Sequence, residues 1–208
     1  MHVKNTIRVL GCLILILFIS CKNSVKQHKN IFRYNEQTGI ASLDPAFAKN
    51  QSIMWAIHQL YNTLVEVDGK LNIVPSLAKS WEFSEDRRTV TFHLRGDIFF
   101  HDDDAFINKK GRRVVAEDVA YSFKRIQDKK IASPGAWIFN NKVDTVNAFM
   151  AINDSTFQLK LLKPYNPILG ILSMQYCSVV PKEAVEKYGE SFRRHAVGTG
   201  PFQFVAWE

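Results

Sequence analysis

The chain is poor in covalent and conformational locks, with three cysteines, seven prolines and ten glycines among its 208 residues. Long apolar runs are missing too. The longest, Val9 to Ile19, is about 11 residues, against the roughly 20 that a bilayer-spanning helix needs. With Lys4 and Arg8 ahead of it, this run reads as the core of a secretory signal rather than a transmembrane segment. There are no internal repeats and no low-complexity tracts, so a solenoid or a disordered array is excluded. No nucleophile elbow and no HExxH pattern occurs. Outside the signal the histidines are scattered: His58 in a predicted helix, His93 on a strand face, His101 in a turn and His195 in a loop, with His28 in a polar stretch. No serine or cysteine stands with a histidine and an orienting carboxylate, so no catalytic residue is assigned and an exported hydrolase is disfavoured.

The apolar run ends in Leu17-Phe18-Ile19-Ser20-Cys21, a small residue directly before a cysteine. This resembles the lipobox of bacterial lipoproteins, in which the thiol takes a diacylglycerol, the chain is cut before the cysteine and the new amino terminus is acylated. The alternative is an ordinary signal with an incidental cysteine. Several acyl chains hold a bilayer far better than one. On this reading residues 1–20 are the signal, Cys21 is the lipidation site and residues 21–30 are a polar tether. Cys12 leaves with the signal, so Cys177 alone remains beside Cys21 and no disulfide staples the mature domain. A core must hold it. Cys177 lies in the apolar run Met174 to Val180 and reads as a buried small hydrophobe, not a nucleophile.

Loss of Lys4 and Arg8 lowers the formal charge from +7 to +5. The remaining charge is spread over clusters at 22–29, 109–113 and 124–130 rather than focused on one face, which argues against a nucleic-acid partner.

Hydrophobic periodicity predicts a mixed α/β domain. Phe32-Arg33-Tyr34 reads as a first strand, Ser42 to Pro45 as a turn, and Gln51 to Tyr61 as a helix burying Ile53, Ile57, Leu60 and Tyr61. Leu64 to Pro75 reads as a hairpin in which Asp68-Gly69 supplies the positive φ. A second hairpin pairs Trp81-Glu82-Phe83 with Thr89 to Arg95. Val90, Phe92 and Leu94 point inward, and His93 lies on the polar face. Val114 to Ile126 is the strongest helix, with Val119, Phe123 and Ile126 buried. Glu117 and Asp118 at its start and Lys124 and Arg125 at its end have the signs its dipole favours. A third hairpin turns at Asn153-Asp154 into Thr156 to Leu162. Pro181 to Tyr188 reads as a short helix stopped by Gly189. Phe202 to Trp207 alternates like a buried strand, and a chain ending inside a strand points to a fragment.

Taken in order, several stretches resemble the family 5 extracytoplasmic solute-binding proteins, which serve dipeptide, oligopeptide and nickel ABC importers. They are "SLDPA" (42–46), "LYNTLVEVDG" (60–69), "IVPSLAKSWEFSED" (73–86), "TFHLRGDIFFHD" (91–102), "AEDVAYSFKRI" (116–126), "VVPKEAVEKYG" (179–189) and "VGTGPF" (197–202). The resemblance covers residues 31–208 and only the amino-terminal part of the family's length. It implies a type II periplasmic-binding-protein-like fold, of which this chain is an incomplete lobe one with its extra subdomain. The second lobe, with the acidic residue that meets a peptide's amino terminus, lies beyond it.

The resemblance also implies capture of a short peptide between two closing lobes, delivery to an ABC permease, an extracytoplasmic location on the periplasmic side at the membrane, and no cofactor. Nickel and other small solutes share the scaffold, and a partner-binding lipoprotein without ligand capture is the remaining alternative. Candidate ligand contacts are Ala48, Lys49, Asn50 and Gln51 after "SLDP", Gly135 and Trp137 in "SPGAW", and the Gly198-Thr199-Gly200 turn. Trp137 offers an apolar wall or is a packed rim tryptophan. The glycines aim backbone N–H groups at a ligand or only permit the bend before Pro201.

The acidic stretch "FFHDDDAF" (99–106) is where a metal would be sought first. Adjacent aspartates on one loop do not converge without glycine punctuation, so it is read as a surface turn and no metal ligand is assigned. The family pattern there is Phe-His-Asp-Gly. Asp103 replaces the glycine, and the acidic start of the following excursion is expected to pair with its basic end, "KKGRR" (109–113).

Overall fold

The computed structural model describes residues 31–144 and 146–207. The predicted signal, Cys21 and the tether lie outside the described residues. Residues from Tyr34 onward form one compact unit.

The sheet strands form where β-branched and aromatic residues alternate with polar ones. β1 (Val65–Val67) and β2 (Ile73–Pro75) make an antiparallel ribbon with Glu66 opposite Val74. β3 (Ala78–Phe83), β4 (Thr89–Leu94), β5 (Phe149–Asn153) and β6 (Thr156–Lys160) make an antiparallel sheet in the order β3-β4-β6-β5. Phe92 faces Phe157 across the central ladder. In β4, Val90, Phe92 and Leu94 are buried while Thr91 and His93 are half-exposed, as the alternation required.

Helix α1 is Gln51–Leu60 and α2 is Ala116–Gln127. α2 packs on β5 and β6 through Val119, Ala120, Phe123 and Ile126. Phe123 lies at the centre, edge-on to Phe149 and Phe157 at 5.6 Å each and tilted against Phe139 at 5.1 Å. Offset and edge-to-face rings pack densely and add to the area term. The start of α2 is closed by Asp118, whose carboxylate accepts the Val115 N–H at 2.9 Å. That same carboxylate takes two hydrogen bonds from Arg112, which also bonds Glu183 twice. Asp118 is therefore a buried tie, beyond the dipole role expected of it. α3 (Ile168–Leu172) and α4 (Lys182–Tyr188) complete the unit, and Gly189 stops α4 with φ +50. Among the described residues no helix is long and apolar enough to cross a membrane.

Three expectations are corrected. Phe32-Arg33-Tyr34 is not a strand: an alternating triplet suits a pleat but does not by itself make one. In the β1–β2 loop the positive φ falls on Leu71 (+65), not on Gly69. Asp68 Oδ1 accepts both the Lys70 and Asn72 N–H groups at 2.8 Å, and this side-chain turn places the left-handed residue further along. Phe202 to Trp207 is not a buried strand. Val205 is 80% exposed, and the Phe202 N–H donates to Gln59 O at the end of α1 rather than to a strand edge.

Candidate ligand-facing surface

The "SLDP" segment builds its own turn. Ser42 Oγ accepts the Asp44 N–H, and Asp44 Oδ1 accepts the Ala46 N–H, starting a 3-10 turn at Pro45–Phe47. Asp44 is buried and held by Arg125 of α2 at 3.1 and 2.8 Å. Such a pair must be satisfied on both sides once it leaves water. Ala48 is buried, Lys49, Asn50 and Gln51 are exposed, and Asn50 Oδ1 caps α1 through the Ile53 N–H at 3.1 Å. Cap and exposed flank together put the start of α1 at the surface.

The "SPGAW" loop sits against this turn. Ser133 Oγ donates to Ala46 O at 2.6 Å and accepts the Gly135 N–H at 3.0 Å. Gly135 backs onto the Tyr176 ring so closely that a Cβ would lie 2.4 Å from it. Trp137 is 48% exposed, and Lys142 Nζ lies 5.8 Å above its ring while donating to its carbonyl. Next to Tyr176, Gln175 bonds through Nε2 to His58 Nδ1 at 3.2 Å, which returns the surface to α1. The Ser133 bond thus ties the 133–137 loop to the 45–47 turn; Ala48 and Gly135 are buried there, while Lys49, Asn50, Gln51 and Trp137 are exposed.

Three residues that no turn signal marks adjoin these segments: Trp55 and His58 on α1, and Gln175 beside Tyr176. Gln51, Trp55 and His58 are spaced four and three apart and are all exposed, opposite the buried Ile53 and Ile57. That spacing is the sequence signal of an exposed helix side.

The Gly198-Thr199-Gly200 turn is at the other end of α1, about 15 Å along its axis. A Cβ on Gly198 would stand 2.0 Å from Leu60 O, and one on Gly200 2.6 Å from Gln59 O. The Gly200 N–H donates to Leu60 O, and Thr199 Oγ1 donates to Asn62 Oδ1. At the described contacts these glycines serve close backbone approach, and the Gly200 donor is engaged within the chain.

The acidic loop is a surface turn whose ends pair as expected: Lys110 with Asp102 at 2.6 Å and Lys109 with Asp104 at 2.9 Å. Asp103 leaves this pattern. Its carboxylate accepts the Ala105 N–H and the Tyr188 hydroxyl (2.7 Å) and pairs with His195 Nε2 (3.1 Å), while the Tyr188 and His195 rings stack at 3.8 Å. Burial, and then Asp103, hold the Tyr188 phenol well above its ordinary range. Cys177 is fully buried, and burial pushes its thiol up, consistent with an inert core residue.

With this geometry in view, comparison with known proteins is decisive. The model of bacterial extracellular solute-binding proteins, family 5 (middle region), matches residues 72–208. The chain belongs to the family 5 bacterial extracellular solute-binding proteins. It is 35% identical over 162 residues to the dipeptide-binding protein of Escherichia coli K12, covering 72% of this chain and 30% of that one. To heme-binding protein A of Haemophilus influenzae it is 33% identical over 163 residues, covering 72% of this chain and 29% of that one. The periplasmic binding protein DppA of Helicobacter pylori, solved with the peptide STSA, superposes with a TM-score of 0.71 at 31% identity, over 81% of this chain and 35% of the other. The chain therefore spans about 30% of the length of these curated relatives. Its fold is that of the matching part of the type II periplasmic binding proteins in family 5, whose members are solute-binding proteins rather than enzymes and act outside the cytoplasm.

Proposed function

We propose that this chain is the amino-terminal part of a solute-binding lipoprotein that collects short peptides outside the cytoplasmic membrane and passes them to an ABC permease. The observation that carries the reading is the similarity to peptide-binding relatives in both sequence and fold. The face formed by α1, the 46–51 turn and the 133–137 loop supports it. Trp55 on α1 and Trp137 in the 133–137 loop are exposed and can serve as apolar walls, and the polar Gln51 and His58 share the exposed side of α1 with Trp55, a mixture suited to varied peptide side chains. A peptide backbone adds to such a surface through its own N–H and C=O groups, and bridging water tolerates different side chains. The four-stranded sheet with α2 corresponds to the small extra subdomain of lobe one. Cys21 carries the acyl chains that hold the protein at the bilayer, a reading supported by the Leu17-to-Cys21 pattern. A haem or nickel-complex ligand is the second reading, favoured by the likeness to heme-binding protein A and to NikZ of Campylobacter jejuni solved with Ni(L-His) (29% identity, TM-score 0.68).

The test is calorimetric titration of the native, detergent-extracted protein with dipeptides, tripeptides, haem and Ni(L-His), with its intact mass measured on the same sample. Peptide binding that weakens by about tenfold in Trp55→Ala and Trp137→Ala, with unchanged melting temperature, supports the proposal. Binding of haem or the nickel complex alone transfers support to the second reading, and no binding of any of them overturns both. A mass without acyl chains on Cys21 removes the lipoprotein part.

A further inference from the structure

His101 follows Phe100 in the loop after β4 and reaches across 99 positions to the Gly198–Gly200 turn. Its backbone N–H donates to Gly198 O and its Nε2 bonds Gly200 O, both at 2.8 Å. A carbonyl only accepts, so Nε2 carries the proton and Nδ1 is left as a bare lone pair. Nδ1 is buried and finds no hydrogen-bond partner among the described residues. The turn that His101 holds in turn ties down α1, through Gly200 N–H to Leu60 O and Phe202 N–H to Gln59 O, both at 3.0 Å.

We propose that His101 is an acid-sensitive latch: when neutral it clamps the Gly198–Gly200 turn and with it the carboxyl end of α1, and when protonated it lets both loosen. A second proton puts an N–H at Nδ1, where a buried charged donor meets no acceptor, and the ring relieves this by swinging toward water. The other titratable groups lining the same cavity of about 240 Å³ are Asp102, Asp103, Asp104, Tyr188 and His195. Each aspartate is already engaged. Lys110 and the Gly111 N–H hold Asp102. Ala105, Tyr188 and His195 hold Asp103, and Lys109 holds Asp104. Burial depresses the His101 pKa below its ordinary 6.5, outweighing the Gly200 carbonyl and Asp102, which pull upward. The folded chain thus takes up this proton later than the unfolded one, so the latch is intact above about pH 6.5 and weakens as pH falls below it.

Hydrogen exchange at the Gly200 and Phe202 amides between about pH 7.5 and 5, corrected for the intrinsic rate, reads the latch directly and needs no ligand. In the unaltered chain protection is expected to fall several-fold, no more steeply than about tenfold per pH unit, the limit for one proton. His101→Gln, which keeps a neutral donor, is expected to be flat, and His195→Gln to keep the slope. A flat profile in the unaltered chain, or an unchanged slope in His101→Gln, overturns the proposal. If His101→Gln does not fold, the ¹⁵N shifts of His101 in the unaltered chain decide. Protonation at Nδ1 coincident with faster Gly200 exchange supports the latch. A ring that stays neutral at pH 5, or titrates without moving that exchange, overturns it.

Discussion

Between α2 and the four-stranded sheet, Phe92, Phe123, Phe139, Phe149 and Phe157 meet ring against ring in the buried interior. Around the loop after β4 the contacts are polar: His101 on two glycine carbonyls of the 198–200 turn, Asp103 on Tyr188 and His195, and Thr199 of that turn on Asn62 just past α1. The first joint rests on non-directional burial, grows with area and ignores pH. The second depends on a few directional bonds between distant segments, each of which is lost when one atom moves or changes its proton. The difference separates a rigid platform from a joint that can respond.

The largest expected effect falls on the platform. Phe123→Ala removes the ring at the centre of the aromatic cluster and should lower stability by about 4 kcal/mol in denaturant unfolding, with no change in pH dependence. A loss below about 1 kcal/mol would show that the cluster is loosely packed and the contrast overdrawn. Next is Arg125, which links α2 to the "SLDP" turn from a largely buried position. Arg125→Ala strands the Asp44 carboxylate and should cost about 3 kcal/mol, while Arg125→Met with Asp44→Asn should recover most of it. Equal losses in the single and double variants would place the cost in packing rather than charge. The smallest is Asp103→Gly, which restores the family's residue and gives up three hydrogen bonds. It should cost about 1–2 kcal/mol and raise amide exchange in residues 188–195. Unchanged stability would mean that Asp103 only decorates the loop.

The platform was legible in advance because its code is local. The period of β4 announced which of its residues would be buried, the spacing of Val119, Phe123 and Ile126 announced the buried stripe of α2, and the ordered motifs announced the family. The candidate surface is half legible. Turn signals mark Asn50, Gln51 and Trp137, whereas Trp55 and His58 stand on the exposed side of a helix whose apolar period marks only its buried side. The Gly198–Gly200 turn was named with them, yet it lies at the opposite end of α1. The acidic loop was read correctly as a turn, and its outer pairs Asp102–Lys110 and Asp104–Lys109 could be expected because they lie within ten positions of each other.

The sequence by itself determined the hairpins, the two principal helices and the membership of the family. Each follows from residue type and short-range spacing. Only the tertiary structure decided that Ser133 would tie two candidate loops together through Ala46, that Asp103 would turn inward to Tyr188 and His195, and that His101 would clamp a turn 99 positions away. Periodicity encodes which side of an element is buried, whereas a side-chain hydrogen bond across the fold depends on where two unrelated elements come to rest.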